Sequence, residues 1–116
     1  MPTFTKVKLS GSTDGKGVLV AQTATAGTTI HTAGSGTVNW DEIWLYAVNE
    51  HTADLVLTIE YGSAGVEDNM TVTVPSKSGL QLIIPGLLLQ NSAILKAFAA
   101  SANKITLHGF VNRITA

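Results

Sequence analysis

The sequence predicts an all-β protein, built as a single-domain antiparallel β-sandwich or a jelly-roll-like barrel of about eight or nine strands. Apolar and polar residues alternate in several short segments, as they do in strands that bury one face. Turn-forming segments separate these runs at the spacing typical of sandwiches and barrels. With 116 residues and no cysteine, the chain has the size of one domain and must be stabilised by packing rather than by disulfides.

The clearest alternation lies between residues 55 and 61. Its odd-numbered residues are apolar and are predicted to face the core, whereas the even-numbered ones are predicted to face solvent. A charge at Leu57 should therefore unfold the domain, and one at Thr58 should be tolerated. Residues 70–74 repeat the pattern, and the linker 62–69 between the two runs predicts an antiparallel hairpin.

The other strands follow from the same pattern and from the turn segments between them. They are predicted at 4–9, 18–23, 28–32, 42–48, 80–84, 94–99 and 105–114. Residues 92–102 are alanine-rich and fit a helix as well as a strand, and the strand is preferred. Residues 85–90 are predicted to be a corner between the sheets, with three leucines filling one end of the core. Residues 1–10 are either an N-terminal arm or the first core strand.

Composition excludes several partners. The net charge of −1 provides no field for a polyanion, so nucleic-acid binding is not expected. The longest apolar stretch, at 80–89, is interrupted by Gln81, Pro85 and Gly86, so neither a signal sequence nor a membrane span is expected. Charged residues are only 13% of the chain. Either threonine covers much of the exterior, or part of the exterior is buried between subunits, where charges are depleted.

No constellation predicts chemistry. The three histidines are far apart in sequence and show no metal-ligand spacing, although convergence in the fold stays open. The densest acidic spot, Glu67-Asp68-Asn69, matches no calcium-binding loop. Neither a nucleophile elbow nor a phosphate-binding loop is present. The chain is therefore predicted not to be an enzyme and to need no metal or cofactor.

Trp40 and Trp44 fall on one face if a strand begins at Trp40. Core filling is the favoured interpretation of the pair. The alternative is an aromatic contact surface for a sugar or for another chain. Trp40 is expected to be the more exposed of the two.

Four segments resemble small virion proteins of tailed bacteriophages, and the likeness extends over most of the chain. The segments are AGTTIHTA at 26–33, DEIWLYAVN at 41–49, IPGLLL at 84–89 and ITLHGFVNRI at 105–114. The resemblance implies a capsid decoration, or cement, protein that binds the assembled head and stabilises it. It also implies the major capsid protein as partner, a symmetric homo-oligomer with a trimer favoured, synthesis in the host cytoplasm and a final place on the capsid exterior. The sequence does not share that of the small lambda-type decoration proteins, so the mode of docking stays open.

The same resemblance names candidate contacts. In such proteins the N-terminal segment often adds a strand to the shell through backbone hydrogen bonds. Here the candidates are Thr3, Phe4, Thr5, Lys6, Val7 and Lys8, with Trp40 as a candidate exposed aromatic contact. Two other functions stay open: a neck or tail component of the same virion, and a carbohydrate-binding β-sandwich that uses Trp40, Trp44 and Tyr46.

Overall fold

The computed structural model describes residues 2–115. In that range nine strands and one short 3₁₀ turn, Val66–Asp68, form the regular structure. The strands are β1 (Thr3–Lys8), β2 (Val18–Leu19), β3 (Thr28–Thr32), β4 (Trp40–Asn49), β5 (Leu55–Gly62), β6 (Asn69–Val74), β7 (Gln81–Leu89), β8 (Ile94–Ala99) and β9 (Ile105–Thr115). The predicted all-β class is confirmed.

The strands form two antiparallel sheets that pack as a β-sandwich. The five-stranded sheet has the order β1-β9-β4-β7, and β2 pairs with β9 beyond the end of β1. The four-stranded sheet has the order β3-β8-β5-β6. The predicted hairpin is confirmed, because β5 and β6 pair antiparallel from Leu55 opposite Val74 to Glu60 opposite Asn69.

The core lies between the sheets and is almost entirely aliphatic. Ile43 and Leu45 of β4 belong to one core cluster with Leu57 and Ile59 of β5, and all four are fully buried. Each such side chain contributes about 1.5–3 kcal/mol of transfer free energy. The predicted alternation is confirmed for these strands, since the odd-numbered residues of β4 and β8 face the core as well.

The outward side of β5 departs from the prediction. Thr58 and Glu60 point away from the core, yet only 8% and 1% of their surfaces are exposed. The connection between β2 and β3 covers Glu60: Thr25 Oγ1 donates to Glu60 Oε2 at 3.0 Å, and the Gly27 amide donates to Oε1 at 2.6 Å. The expectation that a charge at Thr58 is tolerated is therefore wrong, because this position is buried on the outer face of its sheet.

The predicted corner at 85–90 is wrong. Strand β7 continues through Pro85 and Gly86 to Leu89, and two register shifts against β4 absorb the irregularity. Proline is tolerated here because β7 is an edge strand, and Gly86 adopts φ +89° against the Trp44 ring. Leu87 and Leu88 are 42% and 44% exposed, so of the three leucines only Leu89 lies in the core.

One further boundary differs from the prediction. Strand β2 ends at Leu19, because the chain then leaves the five-stranded sheet and crosses to the other one. There the Ala99 amide donates to the Gln22 carbonyl at 3.1 Å. The preference for a strand over a helix at 92–102 is confirmed, since Ile94–Ala99 alternate between the core and the outer face.

Candidate protein-interaction surface

The outer face of the five-stranded sheet carries most of the aromatic residues of the protein. Residues opposite each other in an antiparallel pair share a face. Strand β9 therefore aligns Trp40 with Ile114 and Phe4, and Trp44 with Phe110. We call this surface the aromatic face. Its apolar members are Phe4, Leu19, Trp40, Trp44, Tyr46, Val48, Leu82, Leu88, Phe110 and Ile114.

The aromatic face is open to solvent. Phe4 is 69% exposed, Leu82 51%, Leu88 44% and Trp40 41%, and these four residues come from three different strands. Large apolar side chains exposed together on one side of a sheet make this face a candidate contact site for another molecule.

A stacked ring pair fixes the geometry at the centre of the aromatic face. The rings of Trp44 and Phe110 are nearly parallel, with 9° between their planes and 6.2 Å between their centroids. Lys6 Nζ lies 4.6 Å from the Phe110 centroid, a cation–π contact. The three residues belong to three neighbouring strands, so this contact also attaches β1 to the sheet.

A carboxylate lies beside the stacked rings. Glu42 Oε1 accepts hydrogen bonds from Trp44 Nε1 at 2.6 Å and from Asn112 Nδ2 at 3.0 Å. These bonds, that from Asn112 first, hold the pKa of Glu42 below its usual value. Lys6, Asn112 and Glu42 are in register across β1, β9 and β4. The aromatic face therefore presents a positive and a negative group a short distance apart.

Beneath the aromatic face, a buried ionic network ties the two sheets together. Asp41 is 2% exposed and accepts from Arg113 Nε at 2.8 Å and Nη2 at 2.9 Å. His31 of β3 reaches the same carboxylate through Nε2 at 2.8 Å. The Ser10 amide donates to His31 Nδ1, so Nε2 carries the proton and donates to Asp41.

The network keeps the Asp41 carboxylate ionised. Burial by itself raises the pKa of Asp41, but the hydrogen bonds from Arg113 and His31 and the charge of Arg113 outweigh it, and the pKa lies below 3.8. Sequence reasoning missed this network. A signal was present, because the pattern that places Trp40 and Trp44 outward places Asp41 inward, and an inward charge requires partners.

The candidate contact residues at the N-terminus form the outermost strand of the five-stranded sheet. Six residues of β1, from Thr3 to Lys8, pair with β9. Phe4, Lys6 and Lys8 belong to the side of the aromatic face, and Val7 alone is half-buried. Among the described residues nothing pairs with the other edge of β1.

The favoured interpretation of the tryptophans is wrong. Both lie on the outer face of β4, where Trp40 is exposed and Trp44 is half-buried. The prediction that Trp40 is the more exposed of the two is confirmed. The error has a physical cause. Both sides of β4 are apolar, so alternation alone does not reveal which side is inward, and the smaller aliphatic side chains form the core.

The residues that bear potential chemistry are dispersed. His31 lies in the core network, His108 lies opposite Tyr46 on the side of the aromatic face, and His51 lies in the turn after β4. Within residues 2–115 there is no group of three or more metal-ligating side chains placed to hold an ion. In the same range no helix is long and apolar enough to cross a membrane.

A cavity of about 270 Å³ lies at the ends of β5 and β8, lined in part by Glu60, Ser63, Ser92 and Lys96. It is small for a site that encloses an organic ligand. Both carboxylate oxygens of Glu60 are already engaged by the covering segment. The aromatic face is thus the stronger candidate for a binding surface.

Comparisons with known proteins add no relative. Neither the protein-family models, nor the curated proteins, nor the solved structures contain a match to this chain. Function is therefore argued from the aromatic face, the β1 edge and the resemblance described above.

Proposed function

We propose that this protein is a structural component of a tailed-bacteriophage virion: a capsid decoration protein that binds the assembled head as a symmetric oligomer. The observation that supports this best is the aromatic face, an exposed apolar surface on a rigid sheet. Such a surface serves to bind a large, flat partner rather than to enclose a small substrate. The sequence resemblance supplies the identity of the partner, the major capsid protein.

The composition of the aromatic face fits a protein partner. Trp40 and Phe4 provide large contact areas of the kind that dominates binding energy at interfaces. Lys6 and Glu42 add one positive and one negative charge to the face. Such a pair fixes the orientation of the bound partner, and water has to be displaced from only a small area around it. The face is carried by regular strands, so little conformational entropy is lost when it docks.

The test is co-sedimentation of the purified chain with assembled heads, comparing two variants of matched exposure. Leu88→Asp places a charge on the aromatic face, and Val56→Asp places the same charge on the outer face of the other sheet. These residues are 44% and 43% exposed. We expect Leu88→Asp to weaken binding by roughly tenfold or more, as the loss of a central apolar contact does, while Val56→Asp binds like the unmodified chain. Equal binding by both variants, or none by the unmodified chain, contradicts the proposal.

A carbohydrate-binding function is the second candidate. It is favoured by one specific observation: Trp40, Trp44 and Tyr46 all lie on the outer side of β4, where aromatic rings are able to stack on sugar rings. Affinity electrophoresis on immobilised polysaccharides tests it. Trp40→Ala should abolish retention while the thermal stability is unchanged, and no retention of the unmodified chain on any glycan refutes it.

A further inference from the structure

The exposed edges of the two sheets differ in their regularity. The edge strands β7 and β3 each contain register shifts, which interrupt an edge and discourage further pairing. Strand β6 is regular, but only two of its six side chains are exposed. Strand β1 pairs with β9 over six consecutive residues without a shift, and five of its six side chains are exposed. Strand β1 is thus a regular edge strand whose outward backbone groups are unpaired and whose side chains are mostly exposed.

We propose that the free edge of β1 pairs antiparallel with β1 of a second copy of this chain, across a two-fold axis, with Thr5 opposite its counterpart. The second copy supplies an edge of identical length and regularity, and two-fold pairing is the commonest symmetry among homo-oligomers. The pair joins the two five-stranded sheets into one continuous sheet.

The register follows from the side chains of β1. An axis at Lys6 would place two ammonium groups opposite each other, which destabilises a strand pair. An axis at Phe4 would shorten the pairing and bring Pro2, which has no amide hydrogen, into it. An axis at Thr5 places Phe4 opposite Lys6 of the second copy, twice, so that each ammonium meets an aromatic ring. It also places Thr3 opposite Val7 of the second copy, twice, on the other side of the sheet.

The dimer leaves the aromatic face free. Pairing uses the backbone edge, while Phe4 extends the aromatic face of one copy toward that of the other. The inference deepens the proposed function, on which it rests for the expectation that the chain works as an oligomer. It replaces the favoured trimer with a two-fold assembly that presents two aromatic faces side by side.

Disulfide trapping tests the pairing, because the chain has no cysteine of its own. Residues directly opposite in an antiparallel pair have Cα atoms about 4.5–5.5 Å apart, within the reach of a disulfide. Thr5→Cys should therefore cross-link. In Thr3→Cys the two thiols would be four residues out of register and about 13 Å apart, so this variant should not cross-link. Thr73→Cys, at an exposed position of the β6 edge, is the control for chance collisions.

The measurement is the rate of covalent dimer formation by each purified full chain in a glutathione redox buffer, read on non-reducing gels. We expect Thr5→Cys to cross-link at least about tenfold faster than either control, because pairing raises the effective thiol concentration to the millimolar range. Equal rates for the three variants overturn the inference, and so does a trimer of the unmodified chain in sedimentation velocity. Only the isolated chain is used. The two proposals can therefore fail separately. If Thr5→Cys cross-links rapidly but the unmodified chain does not bind heads, the proposed function is refuted and the dimer is supported.

Discussion

Replacing Arg113 tests the energetic role of the buried network under the aromatic face. In Arg113→Met the side chain keeps an apolar stem but loses the guanidinium group, and with it both hydrogen bonds to Asp41. Asp41, 2% exposed, is left with His31 Nε2 at 2.8 Å and the Gly34 amide at 3.3 Å. The carboxylate then remains buried without the guanidinium group beside it.

The magnitude follows from the geometry. A hydrogen bond to a charged group contributes about 1.5–3 kcal/mol, and two are lost. Arg113 itself is 37% exposed, so solvent already screens part of the interaction. We therefore expect the free energy of unfolding to fall by about 2–3 kcal/mol at pH 7, equivalent to a decrease in Tm of about 8–12 °C for a domain of this size.

The change of this penalty with pH follows from the pKa of Asp41. The folded-state pKa of Asp41 is lowered from 3.8, so its stabilising contribution is complete above that value and is lost as the pH falls through the folded-state pKa. The penalty of Arg113→Met should accordingly shrink as the pH falls from 3.8 toward the folded-state pKa of Asp41, because the ionised carboxylate that Arg113 stabilises is progressively protonated. Urea unfolding of the two proteins at pH 7 and near pH 2–3 measures it.

Arg113→Lys is the matched control. Lysine keeps the charge but not the two-pronged geometry, so its penalty at pH 7 should lie between those of the unmodified chain and Arg113→Met. A penalty for Arg113→Met below about 0.5 kcal/mol at pH 7, the size of an ordinary surface substitution, would refute this reasoning. A penalty that is the same at both pH values would refute the role given to Asp41 ionisation.

Three further substitutions test the cover of the four-stranded sheet and the contact between β4 and β9. Thr58→Asp should lower the free energy of unfolding by about 2–4 kcal/mol, because it buries a carboxylate, whereas Val56→Asp on the same side should cost no more than about 1 kcal/mol; similar urea midpoints for the two would contradict the covered position. Glu60→Ala should lower the free energy of unfolding by about 1–3 kcal/mol, since it leaves the Gly27 amide and the Thr25 hydroxyl without an acceptor. Hydrogen exchange should then accelerate in residues 23–27, and unchanged exchange there would contradict the role of Glu60 in holding this segment. Gly109→Ala should abolish soluble expression or lower Tm severely, because its Cβ would lie 2.1 Å from the Trp44 carbonyl oxygen, and a Tm equal to that of the unmodified chain would disprove the close approach.

The strand pattern was predictable because it depends on neighbouring residues. Alternation in residues 55–61 predicted β5 and its hairpin with β6, and turn segments predicted most other boundaries to within a few residues. The edge strand β1 was located to within one residue at each end. Trp40 was also identified as the more exposed tryptophan, because it begins its strand beside polar residues.

The candidate surface was only partly predictable. β1 and Trp40 were named as contacts, but their union with Phe110, Ile114 and Leu88 depends on the strand order, and strand order is not a local property. Phe4 and Ile114 are far apart in the chain and become neighbours only through pairing of β1 with β9. Assignment of Trp44 to the core failed because both sides of β4 are apolar, so alternation alone does not show which side faces inward.

By itself the sequence determined that the chain forms short strands with one aliphatic side, because side-chain alternation is a property of adjacent residues. Only the tertiary structure decided which outer surface is covered and which stays open. The segment between β2 and β3 lies on the four-stranded sheet and hydrogen-bonds to the buried Glu60, while Trp40 and Phe4 on the other sheet stay 41% and 69% exposed. That choice depends on contacts between residues distant in sequence, such as Thr25 with Glu60 and Asp41 with Arg113, which no local pattern encodes.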